Sequence, residues 1–197
     1  DLLPILEQVI DLPTSELAES LAVLRNAEFV YEESLYPVAE YSFKHPLTQE
    51  VALATLLRDR RCATHAAVAR ATEALDADRL DEQAALLAHH HEEAGQALDA
   101  ATWHARAGGF IAKSDFAEAG RHLERARVLL RGQEGPAAAG LGASVCRTLL
   151  VVSLRTGLDL DAAHRVFEEG LRCAEATGDP IRVGLMHQAI SVHENQN

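Results

Sequence analysis

The sequence predicts a mainly α-helical protein with one small two-stranded β-element near its N-terminal end. Hydrophobic residues make up 48% of the 197 residues and aromatic residues only 5%, and the hydrophobic share is dominated by alanine and leucine, which favours packed helices. Apolar residues recur at helical spacing along most of the chain. The stretch Tyr41-Ser42-Phe43 alternates instead and is typical of a strand.

Residues 1–57 are predicted to be the end of a winged helix, with an earlier first helix missing. Helical spacing indicates helices over 1–10 and 16–26, and strands over 29–31 and 41–43 would pair as a wing around the loop 32–40. Pro46 suits the first position of the next helix. That helix carries one apolar stripe, and a polar break at 59–61 ends it. The stripe consists of Leu47, Val51, Ala54 and Leu57.

Residues 58–197 are predicted to form a tetratricopeptide-like α-helical solenoid. A helix is predicted over 81–94 and ends at Gly95, and the Gly/Pro stretch 132–136 separates the earlier helices from the later ones. A shift of 44 positions superposes the segment from Asp115 on the segment from Asp159, and Leu123 then falls on Phe167. Such repeated helical hairpins stack because none buries its apolar face alone. The period exceeds the usual ~34 residues, so the repeat is only tetratricopeptide-like.

One motif and two weaker patterns carry a resemblance to a known family. The run Phe43-Lys44-His45-Pro46-Leu47-Thr48-Gln49-Glu50-Val51-Ala52 resembles Phe-x-His-x-Leu-x-Gln-(Glu/Asp)-x-Ala, which marks the junction between winged helix and helical repeats in bacterial STAND-class signal-transduction ATPases. Leu87-Ala88-His89-His90 and Trp103-x-x-x-Ala107-Gly108 also resemble that family. Its members include the "predictive ATPases", some fused to adenylate or guanylate cyclase domains.

The resemblance implies a role for His45. In these ATPases a histidine at the start of this helix reaches the ATPase core and contacts the phosphate of bound ADP, so His45 is the expected cofactor-binding residue when that core is present. ATP and ADP would belong to the parent protein, with no cofactor in this segment. His45-Pro46-Leu47 departs from the family's His-Asp-Leu at Pro46. The alternative is that His45 only packs the wing against the helix.

Charge and cysteine usage narrow the class of protein. The formal net charge of −12 argues against direct nucleic-acid binding, which requires a basic face; Arg58, Arg60 and Arg61 are interpreted as a solvated helix end. No apolar run approaches the ~20 residues of a membrane span. The three cysteines are far apart, which predicts free thiols, packing as small apolar residues in a cytoplasmic protein.

The sequence shows no enzyme site. Gly135 to Gly140 is followed by Leu141-Gly142, where a phosphate loop requires lysine and a hydroxyl residue. Within His89-His90-His91, neighbouring side chains point about 100° apart, so one is expected to be packed and the others solvated. His89 and Glu93 lie four apart and would be the start of a metal site, which makes a metal-dependent hydrolase the remote alternative.

Together with these observations, the resemblance implies a non-catalytic regulatory and protein-interaction segment of a multidomain signal-transduction ATPase. The resemblance implies an ATPase core upstream in the same chain. The start at Asp1 without a methionine is interpreted as a sign that the segment is part of a longer protein. The helical repeats would bind a protein partner or a small effector. The main alternative is the same segment in an ATPase-type transcription regulator whose DNA-binding domain lies elsewhere.

Overall fold

The computed structural model contains ten α-helices and one two-stranded antiparallel sheet in the residues that it describes, which confirms the predicted mainly helical class. The described residues are 2–10, 12–34, 40–75 and 77–195. The helices are α1 (Leu2–Val9), α2 (Thr14–Asn26), α3 (Pro46–Thr55), α4 (Arg58–Leu75), α5 (Ala84–Glu93), α6 (Ala97–Ile111), α7 (Phe116–Leu129), α8 (Pro136–Thr156), α9 (Leu160–Ala176) and α10 (Pro180–Glu194). A single 3₁₀ turn covers Ala77–Arg79.

The elements divide into two units. The first comprises Asp1–Asp78 with Glu93–Gly95, and the second comprises Arg79–Glu92 with Gln96–Asn197. The predicted boundary after residue 57 falls inside the first unit, because α4 packs against α1. The break between α3 and α4 lies at Leu56 and Leu57, not at 59–61. Asp59 instead occupies the first turn of α4, where an acidic side chain favours the helix dipole.

The sheet of the first unit pairs β1 (Val30–Ser34) with β2 (Glu40–Phe43). Val30 pairs with Phe43 and Tyr31 with Ser42, and a bulge follows Glu32. The two predicted strands are therefore present and antiparallel, although β1 continues to Ser34, inside the predicted loop 32–40. Residues 35–39 of that loop lie outside the described residues.

Helix α3 begins at Pro46 as predicted, but its apolar stripe is exposed. The exposed fractions of Leu47, Val51 and Leu57 are 68%, 56% and 80%, and no residue of α3 is buried. Pro46 stands at the first helical position, with His45 as the residue before it in an extended conformation. The spacing therefore predicts the helix correctly, while the described residues of the first unit leave the stripe uncovered.

In the second unit, each helix from α6 to α10 packs against the next one along the chain. Three of these helices begin at an aspartate whose carboxylate accepts backbone N–H bonds: Asp115 before α7, Asp159 before α9 and Asp179 before α10. Such caps satisfy N–H groups that the helix cannot pair internally. Helix α5 starts three residues later than predicted, and Gly95 follows it with a positive φ of 75°.

The core of the second unit lies around α8. It contains Leu123 of α7, Leu150 of α8, Val166 of α9 and Met186 of α10. Phe167, the residue matched to Leu123 by the repeat, is partly buried and packs against the same core. The matched residues Ala119 and Ala163 are both fully buried, which the proposed alignment of the two hairpins requires.

Small residues allow the helices to approach closely. A Cβ atom at Gly170 would lie 2.6 Å from Cβ of Cys146, and one at Gly108 would lie 2.7 Å from Cγ of Leu123. Cys146 is buried in this core, and burial raises the pKa of its thiol to about 12. It therefore packs as a small apolar residue, as predicted. All three cysteines are free, and Cys62 and Cys173 are half-buried.

Helix α8 corrects one expectation from the sequence. It is 21 residues long and its 18-residue window has a mean hydropathy of 1.7, so by length and composition it reaches the range of a membrane span. Glycine, serine and threonine interrupt the apolar residues of α8, so no long apolar run is visible in its sequence. Alanine, valine and leucine nevertheless keep its mean hydropathy high. Half of that window is buried inside the protein, and α8 packs against α7, α9 and α10. Its apolar character is thus used by the core of the second unit.

Candidate functional site

The predicted nucleotide contact, His45, lies at the start of α3 directly after β2. Its side chain is exposed, and its carbonyl accepts the N–H of Thr48 at 2.9 Å. The charge of His45 helps to lower the pKa of the Glu28 carboxyl, after the larger effect of the Lys44 hydrogen bond at 2.8 Å. This exposure leaves both interpretations of His45 as predictions, the contact with ADP and the packing of the wing against the helix.

The predicted metal candidates lie on α5. His91 is buried, and its Nδ1 lies 2.9 Å from Oε1 of Gln96, whereas His89 and Glu93 are exposed. One packed histidine beside more solvated ones is the predicted arrangement. Within the described ranges, no group of three or more histidine, cysteine, aspartate or glutamate side chains is arranged to hold a metal ion.

A groove of about 1050 Å³ lies between α7 and α9 in the second unit and is called here the α7–α9 groove. One face of α8 forms its floor through Leu149 and Ser153. Val128 of α7 and Ala162 and Val166 of α9 extend this apolar surface. The stacking order creates the groove, since α8 packs against both α7 and α9 and holds them apart.

Six of the described residues that line the groove are arginines, although the protein has a net charge of −12. Three glutamates accompany them, Glu124, Glu168 and Glu169, so the groove is formally positive. The arginines are Arg121, Arg125, Arg127 and Arg131 from α7 and the turn after it, and Arg165 and Arg172 from α9.

Arg127 is the fixed member of this set. Its guanidinium donates to Glu124 at 2.6 Å and 2.9 Å and to Glu169 of α9 at 2.6 Å. These two carboxylates raise the pKa of Arg127, the hydrogen bond to Glu124 being the largest cause. The Arg127–Glu169 pair bridges the two walls, and a second, smaller depression at Gly142 and Cys173 continues beyond it.

Two further arginines are neutralised by neighbours outside the groove. Arg121 pairs with Glu118 one turn earlier. Nε of Arg125 donates to both carboxylate oxygens of Glu92 on α5, at 3.0 Å and 3.1 Å. That hydrogen bond is the main reason why the pKa of Glu92 is lowered.

Arg131, Arg165 and Arg172 remain without such a partner. All three are exposed, and no carboxylate among the described residues lies within salt-bridge distance of them. Arg165 and Arg172 are seven residues apart and so lie on the same face of α9, about 10 Å apart along its axis at ~1.5 Å per residue. The groove therefore presents three guanidinium groups whose donors face solvent.

A histidine pair supports the wall of the groove from α6. Nδ1 of His104 lies 2.9 Å from Nδ1 of His122 on α7, and Nε2 of His104 lies 3.2 Å from Glu92. Because the carboxylate only accepts, we assign the Nε2 proton to His104, whose Nδ1 then accepts from His122. Desolvation lowers the pKa of both histidines. Glu92 thus joins α5, α6 and α7 in one hydrogen-bonded cluster.

Sequence reasoning missed the α7–α9 groove. The aligned pair Arg121 and Arg165 is the signal that was available, since the 44-residue shift places an arginine at the same position of α7 and α9. Those two positions line the groove from opposite walls. Arg131 and Arg172 have no such relation in the repeat, so only the packing of the helices brings them to the same surface.

Comparison of the chain with models of protein families, with curated proteins and with solved structures found no match.

Proposed function

We propose that this chain is a non-catalytic regulatory and protein-interaction segment of a multidomain signal-transduction ATPase. In this proposal the first unit is the end of a winged helix that responds to the nucleotide state of an ATPase core elsewhere in the protein. The second unit is a tetratricopeptide-like solenoid that binds a partner. The setting is the bacterial cytoplasm, with an output such as a nucleotide cyclase.

The observation that carries the interaction role is the α7–α9 groove. It combines a large concave surface, an apolar floor and three guanidinium groups that have no carboxylate partner among the described residues. A groove of this kind gains binding energy from burial of its floor and gains specificity from charges on its rim. No reacting group needs to be assigned to it.

The observation that supports the nucleotide role is the placement of His45. The imidazole stands at the N-terminal end of α3, where the free N–H groups and the helix dipole favour an anion. A histidine that is exposed in this segment has its ring nitrogens available for a phosphate oxygen of ADP on the ATPase core. Coupling then requires that ADP and the partner favour different arrangements of one interface.

The test is ADP affinity in a protein that contains both this segment and the ATPase core. His45→Ala is expected to raise the ADP dissociation constant roughly tenfold to a hundredfold, because a hydrogen bond to a charged group contributes about 1.5–3 kcal/mol. Output in the ATP-bound state should rise as the ADP-bound state loses population.

Gln49→Ala is the matched control, since Gln49 is also exposed and lies one turn later on the same helix. Its ADP affinity should equal that of the wild type. Equal ADP affinities for wild type and His45→Ala, at equal folding stability, would contradict the nucleotide role.

A further inference from the structure

The α7–α9 groove has the chemistry to select its partner. We infer that it binds an acidic peptide segment of a partner protein, with carboxylates on Arg131, Arg165 and Arg172 and apolar side chains on the floor between them. This inference rests on the proposed interaction role and adds the chemical class of the partner.

The first argument is charge. Guanidinium groups match carboxylates in planar, two-point hydrogen bonds, and three of them face the groove with no salt-bridge partner among the described residues. They stand on opposite walls, Arg131 just after α7 and the other two on α9. An acidic segment lying along the groove would therefore meet donors from both sides.

The second argument is preorganisation. Arg127 is held by Glu124 on its own helix and by Glu169 across the groove. The bond to Glu169 fixes the separation of the walls before any partner arrives. Arg125 is likewise held by Glu92. A wall that is already ordered loses less conformational freedom on binding. Arg131, Arg165 and Arg172 therefore extend from a surface that is ordered before the partner binds.

The floor distinguishes a peptide from a nucleic acid. Among the described residues that line the groove none is aromatic, so bases would have no ring on which to stack. Glu168, which also lies in the lining, stands between Arg165 and Arg172 on α9. It separates their positive charges, which suits spaced carboxylates better than a continuous row of phosphates. A peptide presents separated carboxylates with apolar side chains between them, which suits both the arginines and the aliphatic floor.

The experiment uses the full 197-residue chain and a fluorescent ten-residue peptide of alternating glutamate and leucine, followed by anisotropy. A peptide with glutamine in place of every glutamate is the first control. The groove variant is the double substitution Arg165→Gln and Arg172→Gln. The matched variant, Arg58→Gln with Arg60→Gln, removes two exposed arginines from α4 in the first unit.

The glutamate peptide is expected to bind the wild type at least tenfold more tightly than the glutamine peptide. The groove variant should lose at least tenfold in affinity for the glutamate peptide, whereas the α4 variant should change it less than twofold. Arg131→Gln, on the opposite wall, should weaken binding independently and serves if the double variant does not fold.

Three results would overturn the inference. They are no binding of the glutamate peptide, equal binding of both peptides, and equal losses in the groove and α4 variants. An oligothymidine of ten nucleotides that binds more tightly than the glutamate peptide, and depends on Arg165 and Arg172, would also overturn it in favour of a nucleic acid.

Failure here is separable from failure of the proposed ATPase role. If the chain does not distinguish the two peptides while His45→Ala still weakens ADP binding, only the proposal of an acidic partner is rejected. If His45→Ala binds ADP normally while peptide binding still depends on the groove, the nucleotide role is rejected. The binding of acidic peptides by the second unit is then retained.

Discussion

Helices α3 and α7 carry similar apolar periodicity but use it differently. Leu47 and Val51 of α3 are exposed, whereas Ala119, Leu123 and Ala126 of α7 are all buried. The difference lies in the neighbours, because α7 packs against α6 and α8, while the described residues of the first unit give α3 a slight contact with β2. Periodicity thus specifies a helix, and adjacent helices specify whether its stripe becomes core.

The two helices also start differently. Asp115 accepts the N–H groups of Ala117 and Glu118 at 2.9 Å, so α7 begins with a side-chain cap. Helix α3 begins at Pro46, and its preceding residue His45 makes no side-chain cap bond. Asp115 therefore stabilises its helix directly, whereas His45 leaves its ring available for another role.

The largest effect should come from truncating the buried stripe. Leu123→Ala is expected to lower the free energy of unfolding by about 2–5 kcal/mol, because a fully buried leucine leaves a cavity. Leu47→Ala, the same change on α3, should stay within about 0.5 kcal/mol since its side chain is 68% exposed. Urea denaturation of both variants, followed by circular dichroism, measures the difference.

Phe167→Ala tests whether the position on α9 that matches Leu123 in the 44-residue repeat also belongs to the core. Phe167 matches Leu123 and packs against the same core while remaining partly exposed. We therefore expect a loss toward the lower end of the ~2–5 kcal/mol range. A neutral result in the same denaturation experiment would show that the alignment of the two hairpins is wrong at this position.

A smaller loss is expected from adding one methyl group at a helix crossing. The Cβ of Gly170→Ala would lie 2.6 Å from Cβ of Cys146 on α8, so overpacking should cost about 1–3 kcal/mol. Gly109→Ala, on α6 with open space around it, should instead stabilise by roughly 0.5–1 kcal/mol, because glycine weakens a helix interior. Opposite signs in thermal denaturation would confirm that the helices approach closely at Gly170 and that there is open space at Gly109.

Removing the cap of α7 should cost less again. Asp115→Ala is expected to destabilise by about 1 kcal/mol, since two backbone N–H groups lose their acceptor. His45→Ala removes no cap bond from α3 and should leave unfolding unchanged within ~0.5 kcal/mol. If both variants lower the free energy of unfolding equally, then α7 is not stabilised by a side-chain cap that α3 lacks.

The smallest effect concerns pH and the histidine pair. Burial lowers the pKa of His104 and His122 in the folded state, although Glu92 partly offsets this for His104. The unfolded chain then binds more protons, so stability is highest above the ordinary histidine pKa of ~6.5 and falls as the pH drops below it. Protonation of Nδ1 on His104 also removes the acceptor for His122.

The charged neighbours of the pair are Glu92 on α5 and Glu118, Arg121 and Arg125 on α7. His122→Gln should flatten the decline in stability between pH 7.5 and 5.5, as measured by thermal denaturation. An equal slope in wild type and His122→Gln would contradict the role of the pair.

The sequence alone determined the helices, the two strands and the starts of most elements. Local signals suffice there: helical spacing around Leu123, alternation at Tyr41-Ser42-Phe43, proline at 46 and aspartate at 115 each act within a few residues. The repeat also follows from the sequence, since Ala119 and Ala163 are small for the same packing reason.

The tertiary structure decided which apolar stripes are buried and where charge accumulates. Leu47 and Leu123 look alike in the sequence, and only the neighbouring helices separate them. The α7–α9 groove depends on α8 holding two helices apart, which brings Arg131 and Arg172 to one surface although they are 41 residues apart. Long-range packing of this kind leaves no local pattern, so the groove emerges only when the helices are assembled.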